Sequence, residues 1–142
     1  MKGFIPHYND GSNRPQALEY LPAGAITPKK GLALKWDGGQ LVLLSGGTTK
    51  PEYICMCEKS AAVTAGTIIP VLKVNPDMVF ETELSVDGDS SAPKLGTLQT
   101  IASDGLRVTK TTTNGTARVV GLIATDSNGY GAAGDTVYVR FN

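Results

Sequence analysis

The residues of this chain that could act in acid–base or nucleophilic chemistry are few and widely separated. The single histidine, His7, lies near the amino terminus, and the chain contains no Gly-x-Ser-x-Gly motif. Glu81 and Glu83 lie two residues apart on a predicted strand, so their side chains share one face. A solvated strand face explains this pair better than a glycosidase site does. We therefore predict no catalytic residues and expect the chain not to be an enzyme.

The candidate metal ligands are equally sparse. The loop that begins Asp87-Gly88-Asp89 lacks the terminal glutamate and the flanking helices of a calcium loop. Cys55 and Cys57 could supply two thiolates, but a zinc site needs two further ligands. A disulfide between them is not expected, because residues two apart on a strand have diverging Cβ vectors. We predict reduced, packed cysteines, no metal and no cofactor.

Size and charge restrict the classes of partner. A chain of 142 residues is about one domain and can bury a core without a metal or a disulfide. Its 13 basic and 13 acidic residues cancel, which argues against nucleic-acid binding. It lacks an apolar run of membrane-spanning or signal-peptide length, so we expect no membrane partner and synthesis in a cytoplasm.

The elements that must position these residues are short strands. Ala-Gly-Thr at 65–67 and Ala-Gly-Asp at 133–135 each precede a run in which every other residue is apolar. Together with Asp-Gly, Gly-Gly and Asn-Gly turns, this predicts a single all-β domain, a small barrel or sandwich, over residues 31–142. Pro70 favours an edge position or a bulge for its strand. The predicted strands are 32–36, 40–44, 53–57, 67–74, 78–84, 95–101, 106–109, 117–124 and 135–141.

Residues 1–30 have a different composition. They hold four of the eight prolines and two of the five tyrosines, so a regular sheet or helix is not expected there. We predict an extended amino-terminal arm that either wraps its own domain or docks on a neighbour, and a domain that folds without residues 2–22. The predicted contact residues are Phe4, Ile5, His7, Tyr8, Tyr20 and Leu21.

The order of several segments resembles the capsid decoration proteins of tailed bacteriophages, also called cement or head-stabilising proteins. The likeness covers roughly residues 24–142, and the long arm departs from the shortest members. The segments are GLALK (31–35), GQLV (39–42), KPEYICM (50–56), IPVLKV (69–74), FET (80–82), DG (104–105) and GDTVYVRF (134–141).

This resemblance implies a β-tulip or β-clip domain that binds the outer surface of a phage capsid and stabilises the shell. It implies the major capsid protein as partner, self-association most often as a trimer, and a location on the virion. The alternative is a carbohydrate- or receptor-binding module of a phage tail or fibre. Tyr130, in a glycine-rich loop, is the best candidate for a sugar platform in that case.

Overall fold

The computed structural model describes residues 3–9, 17–44 and 49–142. In that part of the chain the regular secondary structure is entirely β-strand, which confirms the predicted all-β class. The ten strands are β1 (Ile5–Asn9), β2 (Leu18–Pro22), β3 (Ala33–Asp37), β4 (Gln40–Leu43), β5 (Tyr53–Cys55), β6 (Ile68–Lys73), β7 (Met78–Glu83), β8 (Leu98–Gln99), β9 (Ala117–Ile123) and β10 (Thr136–Arg140).

The strands form a sandwich of two five-stranded antiparallel sheets. Sheet A has the order β1-β7-β10-β9-β8, and sheet B has the order β2-β6-β5-β3-β4. Sheet B curls so that its two edges meet at a single parallel bridge between Ala23 and Leu41. This isolated bridge does not continue as a ladder between β2 and β4, so sheet B does not close into a barrel.

Apolar residues form two clusters, one on each face of sheet B. The first, which we call the inter-sheet core, contains Phe80 and Val139 from sheet A and Ile54 from sheet B. The second cluster lies on the opposite face of sheet B under the loops. It contains Leu34, Leu41, Tyr53, Cys55, Ile69 and Val71 from the strands and Ala23, Leu32 and Leu106 from the loops. Residues of β5 alternate between the two clusters, so this short strand is buried on both faces.

The hairpin of β3 and β4 shows how turn chemistry sets the register of sheet B. Asp37 pairs with Gln40 across a two-residue turn. Both central glycines have positive φ, 58° at Gly38 and 83° at Gly39. A turn with two positive φ values matches the right-handed twist of the strands, and glycine adopts it without a Cβ penalty.

The amino-terminal segment is built into the sandwich, and the expectation that it would lack regular sheet is wrong. β1 pairs with β7 in sheet A, and β2 pairs with β6 in sheet B. Both are edge strands, where a missing backbone donor costs least. Pro6 lies beside a register shift, which is one of the places where sheets accept proline. The described part of residues 1–30 therefore wraps its own domain.

A close approach of two glycines fixes this segment to the chain that follows β2. Phe4 donates its backbone N–H to the carbonyl of Gly31 at 2.8 Å. A Cβ on Gly3 would lie 2.5 Å from the carbonyl oxygen of Lys30, and one on Gly31 would lie 2.6 Å from the backbone of Gly3. Only residues without a side chain allow the two backbones to pass this closely.

Two further strand predictions need correction. Residues 106–109 form no strand; Val108 makes only isolated bridges, to Leu84 and Ile101. β6, which contains Pro70, is an internal strand between β2 and β5. Pro70 is tolerated because its carbonyl accepts from Met56, one residue past the end of β5. Its nitrogen faces that same side, beyond the last paired residue of β5, so the missing donor interrupts no pair of the β5–β6 ladder.

Candidate functional site: an apolar stripe on β2 and β6

The exposed apolar residues of β2 and β6 lie side by side. Tyr20 is opposite Pro70, and Pro22 is opposite Ile68. Residues directly opposite in an antiparallel pair project from the same face of the sheet. Tyr20 is 66% exposed, Ile68 57% and Leu18 43%. We call this set of five residues (Leu18, Tyr20, Pro22, Ile68 and Pro70) the β2/β6 stripe.

The stripe is exposed because sheet A covers only part of sheet B. Leu72 is opposite Leu18 and belongs to the inter-sheet core, so the stripe lies on the face of sheet B that packs against sheet A. Tyr20 and Ile68 continue this face toward the edge, where no strand of sheet A covers them. The intervening residue Leu21 projects the other way and packs against the second cluster. Strand alternation therefore separates a structural face of β2 from an exposed one.

Phe4 is in the core, and the prediction that it contacts a neighbour is wrong for this fold. Its side chain has no exposed area. Its ring packs edge-on against Phe141, with ring centroids 5.4 Å apart. A side chain in this position cannot meet another subunit unless the amino terminus detaches.

The other predicted contact residues are divided between the two sheets. Ile5 is half-buried on β1, opposite Glu81. His7 is exposed and its ring lies 4.8 Å from that of Tyr138 on the outer face of sheet A. Tyr8 is on β1, and its side chain lies outside the described residues. Of the six predicted residues, Tyr20 is the one that belongs to the β2/β6 stripe.

Leu18 and Ile68 of the stripe were not among the predicted contact residues. Ile68 and Ile69 are adjacent, and the alternation cannot show which of two neighbouring isoleucines faces the core. The strand pairing resolves this, because Ile69 is 1% exposed while Ile68 is exposed. Leu18 could have been found only by treating residues 18–22 as a strand.

A second surface feature is a groove of about 570 Å³ beside Tyr130. Asp126 fixes this loop by accepting the backbone N–H groups of Tyr130, at 3.1 Å, and Gly131, at 2.7 Å. The Tyr130 side chain is 39% exposed. Polar residues from a neighbouring loop, among them Asp89 and Lys94, also line the groove.

Asp89 in this groove serves the structure of its own loop. Its Oδ1 accepts hydrogen bonds from the backbone N–H and the hydroxyl of Ser91 and from the N–H of Ala92. Lys110 donates to its Oδ2 at 3.1 Å. These hydrogen bonds, the Ser91 hydroxyl first, hold the pKa of Asp89 well below its usual range. The carboxylate is therefore occupied by internal donors and a lysine.

Asp135 has a similar structural role at the start of β10. Its carboxylate accepts the backbone N–H groups of Ala132 and Thr125, both at 2.8 Å, and the Thr125 hydroxyl at 2.7 Å. The Ala132 bond is the main reason why the pKa of Asp135 is lowered, and the bonds from Thr125 add to it. Asp135 thereby joins the loop after β9 to the strand that follows it.

In the described residues, neither the Glu81/Glu83 pair nor the Cys55/Cys57 pair is part of a larger group of metal-binding side chains. Glu81 and Glu83 are opposite Tyr138 and Thr136 and share the outer face of sheet A, as their spacing predicted. Within residues 3–9, 17–44 and 49–142, no group of three or more histidine, cysteine or acidic side chains could hold a metal ion. Nor does this part of the chain contain a helix long and apolar enough to cross a membrane.

Comparison with known proteins does not assign the chain to a family. No protein-family model matches it, and no curated protein matches it.

Proposed function

We propose that this chain is a structural virion protein that binds the outer surface of a phage capsid and stabilises the shell. The observation that carries the proposal is the β2/β6 stripe. A contiguous apolar surface on a rigid sheet is typical of a protein-binding surface. The order of the sequence segments in residues 24–142 resembles that of capsid decoration proteins. This resemblance supports the capsid as the surface that is bound.

The position of the stripe suits adhesion to a repeating lattice. β2 is an edge strand of sheet B; the bridge from Ala23 to Leu41 of β4 lies just past its end, and residues 18–21 have no strand paired to their outer side in the described structure. Residues 18–21 contain no proline, and the pairing with β6 runs without a register shift. Such an edge can accept an added strand while Tyr20 and Ile68 supply apolar contacts. The copies, which the resemblance implies are trimers, gain avidity by binding many equivalent sites.

The test is a binding experiment with a matched pair of variants. Ile68→Asp places a charge in the stripe, and Ile123→Asp places the same charge on β9 of sheet A. The two isoleucines are 57% and 55% exposed, so the two substitutions are matched in side-chain chemistry and exposure and differ in position. Purified protein is mixed with undecorated tailed-phage shells, and occupancy is measured by electron microscopy and sedimentation.

We expect Ile68→Asp to weaken shell binding by about 10-fold or more, the effect of losing a contact worth about 1.4 kcal/mol or more. Ile123→Asp should bind like the unmodified protein. Equal occupancy for the two variants would exclude the stripe as the binding surface. No occupancy by the unmodified protein would argue against capsid binding as a whole.

Carbohydrate binding at the Tyr130 groove is the second candidate function. A half-exposed aromatic ring beside hydrogen-bonding side chains is the arrangement that sugar platforms use, with the ring stacking on the sugar and polar groups fixing its orientation. A glycan array separates the two functions. Tyr130→Ala should abolish any glycan signal and leave shell binding intact, whereas Ile68→Asp should do the reverse.

A further inference from the structure

The two cysteines of this chain lie close enough to react with each other. The Sγ atoms of Cys55 and Cys57 are 3.9 Å apart. The residue between them, Met56, packs against the inter-sheet core. Both cysteines instead contact the second cluster, so their sulfurs lie on the same side of the chain.

This proximity differs from what an ideal strand would give. β5 ends at Cys55, so Cys57 is outside the extended segment where successive same-face Cβ vectors diverge. The pairing of β5 with its neighbours stops at Cys55, and the Cys55 thiol donates to the Cys57 carbonyl at 3.4 Å. The expectation of diverging side chains applies to a strand that continues through residue 57, and this one does not.

We propose that Cys55 and Cys57 are an oxidation site that forms a reversible intrachain disulfide. A hydroperoxide is the oxidant class. The Cys57 thiolate attacks the O–O bond and becomes a sulfenic acid, and the peroxide leaves as hydroxide or alkoxide. The Cys55 sulfur then attacks the Cys57 sulfur, forming the S–S bond, while its proton leaves with the sulfenic hydroxyl as water. Two thiols are oxidised, and one peroxide is reduced.

The surroundings decide which sulfur reacts first. Cys57 is half-buried, whereas Cys55 has no exposed area. Burial also raises the pKa of the Cys55 thiol to about 12, so Cys55 remains protonated and unreactive toward solvent oxidants. Cys57 is therefore the sulfur that a peroxide reaches, and Cys55 is the resolving partner beneath it.

Cys55 is the more firmly held of the two cysteines. Its backbone N–H donates to the Leu32 carbonyl at 2.9 Å, and its carbonyl accepts from the Gly31 N–H at 2.8 Å. A disulfide requires the sulfurs to approach to about 2.05 Å. Rotation of the Cys57 side chain, whose sulfur starts 3.9 Å from that of Cys55, supplies this approach. The loop after β5 is anchored further along the chain, by bonds from Lys59 to Pro28 and from Val63 to Ile26.

The test is peroxide oxidation of the purified full chain, followed by thiol counting and peptide mass mapping. Trypsin leaves both cysteines in one peptide, residues 36–59, because the Lys50-Pro51 bond resists cleavage. We expect both thiols to be lost together, the monomeric peptide to become lighter by two hydrogens, and dithiothreitol to restore it. At micromolar protein, pairing within the chain should exceed cross-linking between chains by about 1,000-fold, given a millimolar effective concentration for short connections.

The control is Cys57→Ser, which is compared with Cys57→Ala in case one of them folds poorly; circular dichroism checks both. In either variant the remaining Cys55 should keep its thiol under conditions that oxidise the unmodified protein. The proposal is wrong if both thiols of the unmodified protein survive, if Cys57 is oxidised to sulfinic acid without pairing, or if the disulfide joins two chains. None of these outcomes depends on capsid binding.

Discussion

Replacing Phe4 by alanine tests whether the amino-terminal segment is part of the fold. Phe4 is completely buried, and it packs against Phe141, which in turn packs against Phe80 with ring centroids 5.5 Å apart. The substitution removes one ring from a cluster of three and leaves a cavity in the inter-sheet core. An extended arm that docks on a neighbour would leave the free energy of unfolding unchanged.

The expected loss is large compared with the stability of a domain. Removing a fully buried phenylalanine side chain costs about 3–5 kcal/mol, and domains are typically stable by about 5–15 kcal/mol. The unfolding entropy of a 142-residue chain is about 0.3 kcal/mol/K. The variant should therefore melt about 10–17 °C below the unmodified protein.

The assay is urea denaturation monitored by fluorescence, together with a thermal melt, for Phe4→Ala and for Tyr20→Ala as control. Tyr20 is also an aromatic residue of the amino-terminal segment, but its side chain is mostly exposed. Its replacement should change stability by no more than about 0.5 kcal/mol.

The reasoning is refuted if Phe4→Ala also changes stability by less than about 0.5 kcal/mol, because a core position cannot be that tolerant. A chain without residues 2–22 gives a second readout. This deletion removes both β1 and β2, so the structure predicts that the remaining chain fails to fold cooperatively. A cooperative unfolding transition in the truncated protein would instead support a dispensable arm.

Three further predictions concern single residues. Gly31→Ala should destabilise the domain by more than about 2 kcal/mol in urea denaturation, since Gly31 has φ +89° and no room for a Cβ. Thr82→Val should lower the free energy of unfolding by about 1–3 kcal/mol, because the buried Leu106 carbonyl loses the Thr82 hydroxyl that donates to it at 2.6 Å. Thr82→Ser keeps a hydroxyl and should therefore retain most of this stability. Asp135 has a lowered pKa, so its contribution to stability is complete above its unfolded pKa of about 3.9 and is lost as the pH falls through that value toward the folded pKa. Asp135→Asn should therefore unfold with a shallower acid dependence than the unmodified protein, and an unchanged acid profile would contradict the assigned role.

Local chemistry in the sequence was sufficient for much of sheet B. The Asp37-Gly38-Gly39-Gln40 turn and the alternation on either side of it predict the hairpin of β3 and β4, which the structure contains. The period of two and the turn glycines are local properties, so they can be read without knowing which strands pair.

The tertiary structure alone decided the place of the amino-terminal segment. A segment rich in proline and aromatic residues can form an edge strand on its own domain or on a neighbour, because both edges offer the same backbone donors and acceptors. The composition of residues 1–30 therefore could not distinguish the two. Pairing of β1 with β7 and of β2 with β6 places Phe4 in the core and Tyr20 on the surface.

Contacts between distant segments also decided the candidate sites. Ile68 lies beside Tyr20 only because β6 pairs with β2 across a separation of about 50 residues. Cys55 and Cys57 are near in sequence, but their reactive spacing depends on where β5 ends, and pairing with β3 and β6 sets that end. The sequence by itself determined which residues alternate along each strand. Which of the two alternating faces is covered was decided by packing, since burial is a property of the partner surface as well as of the strand.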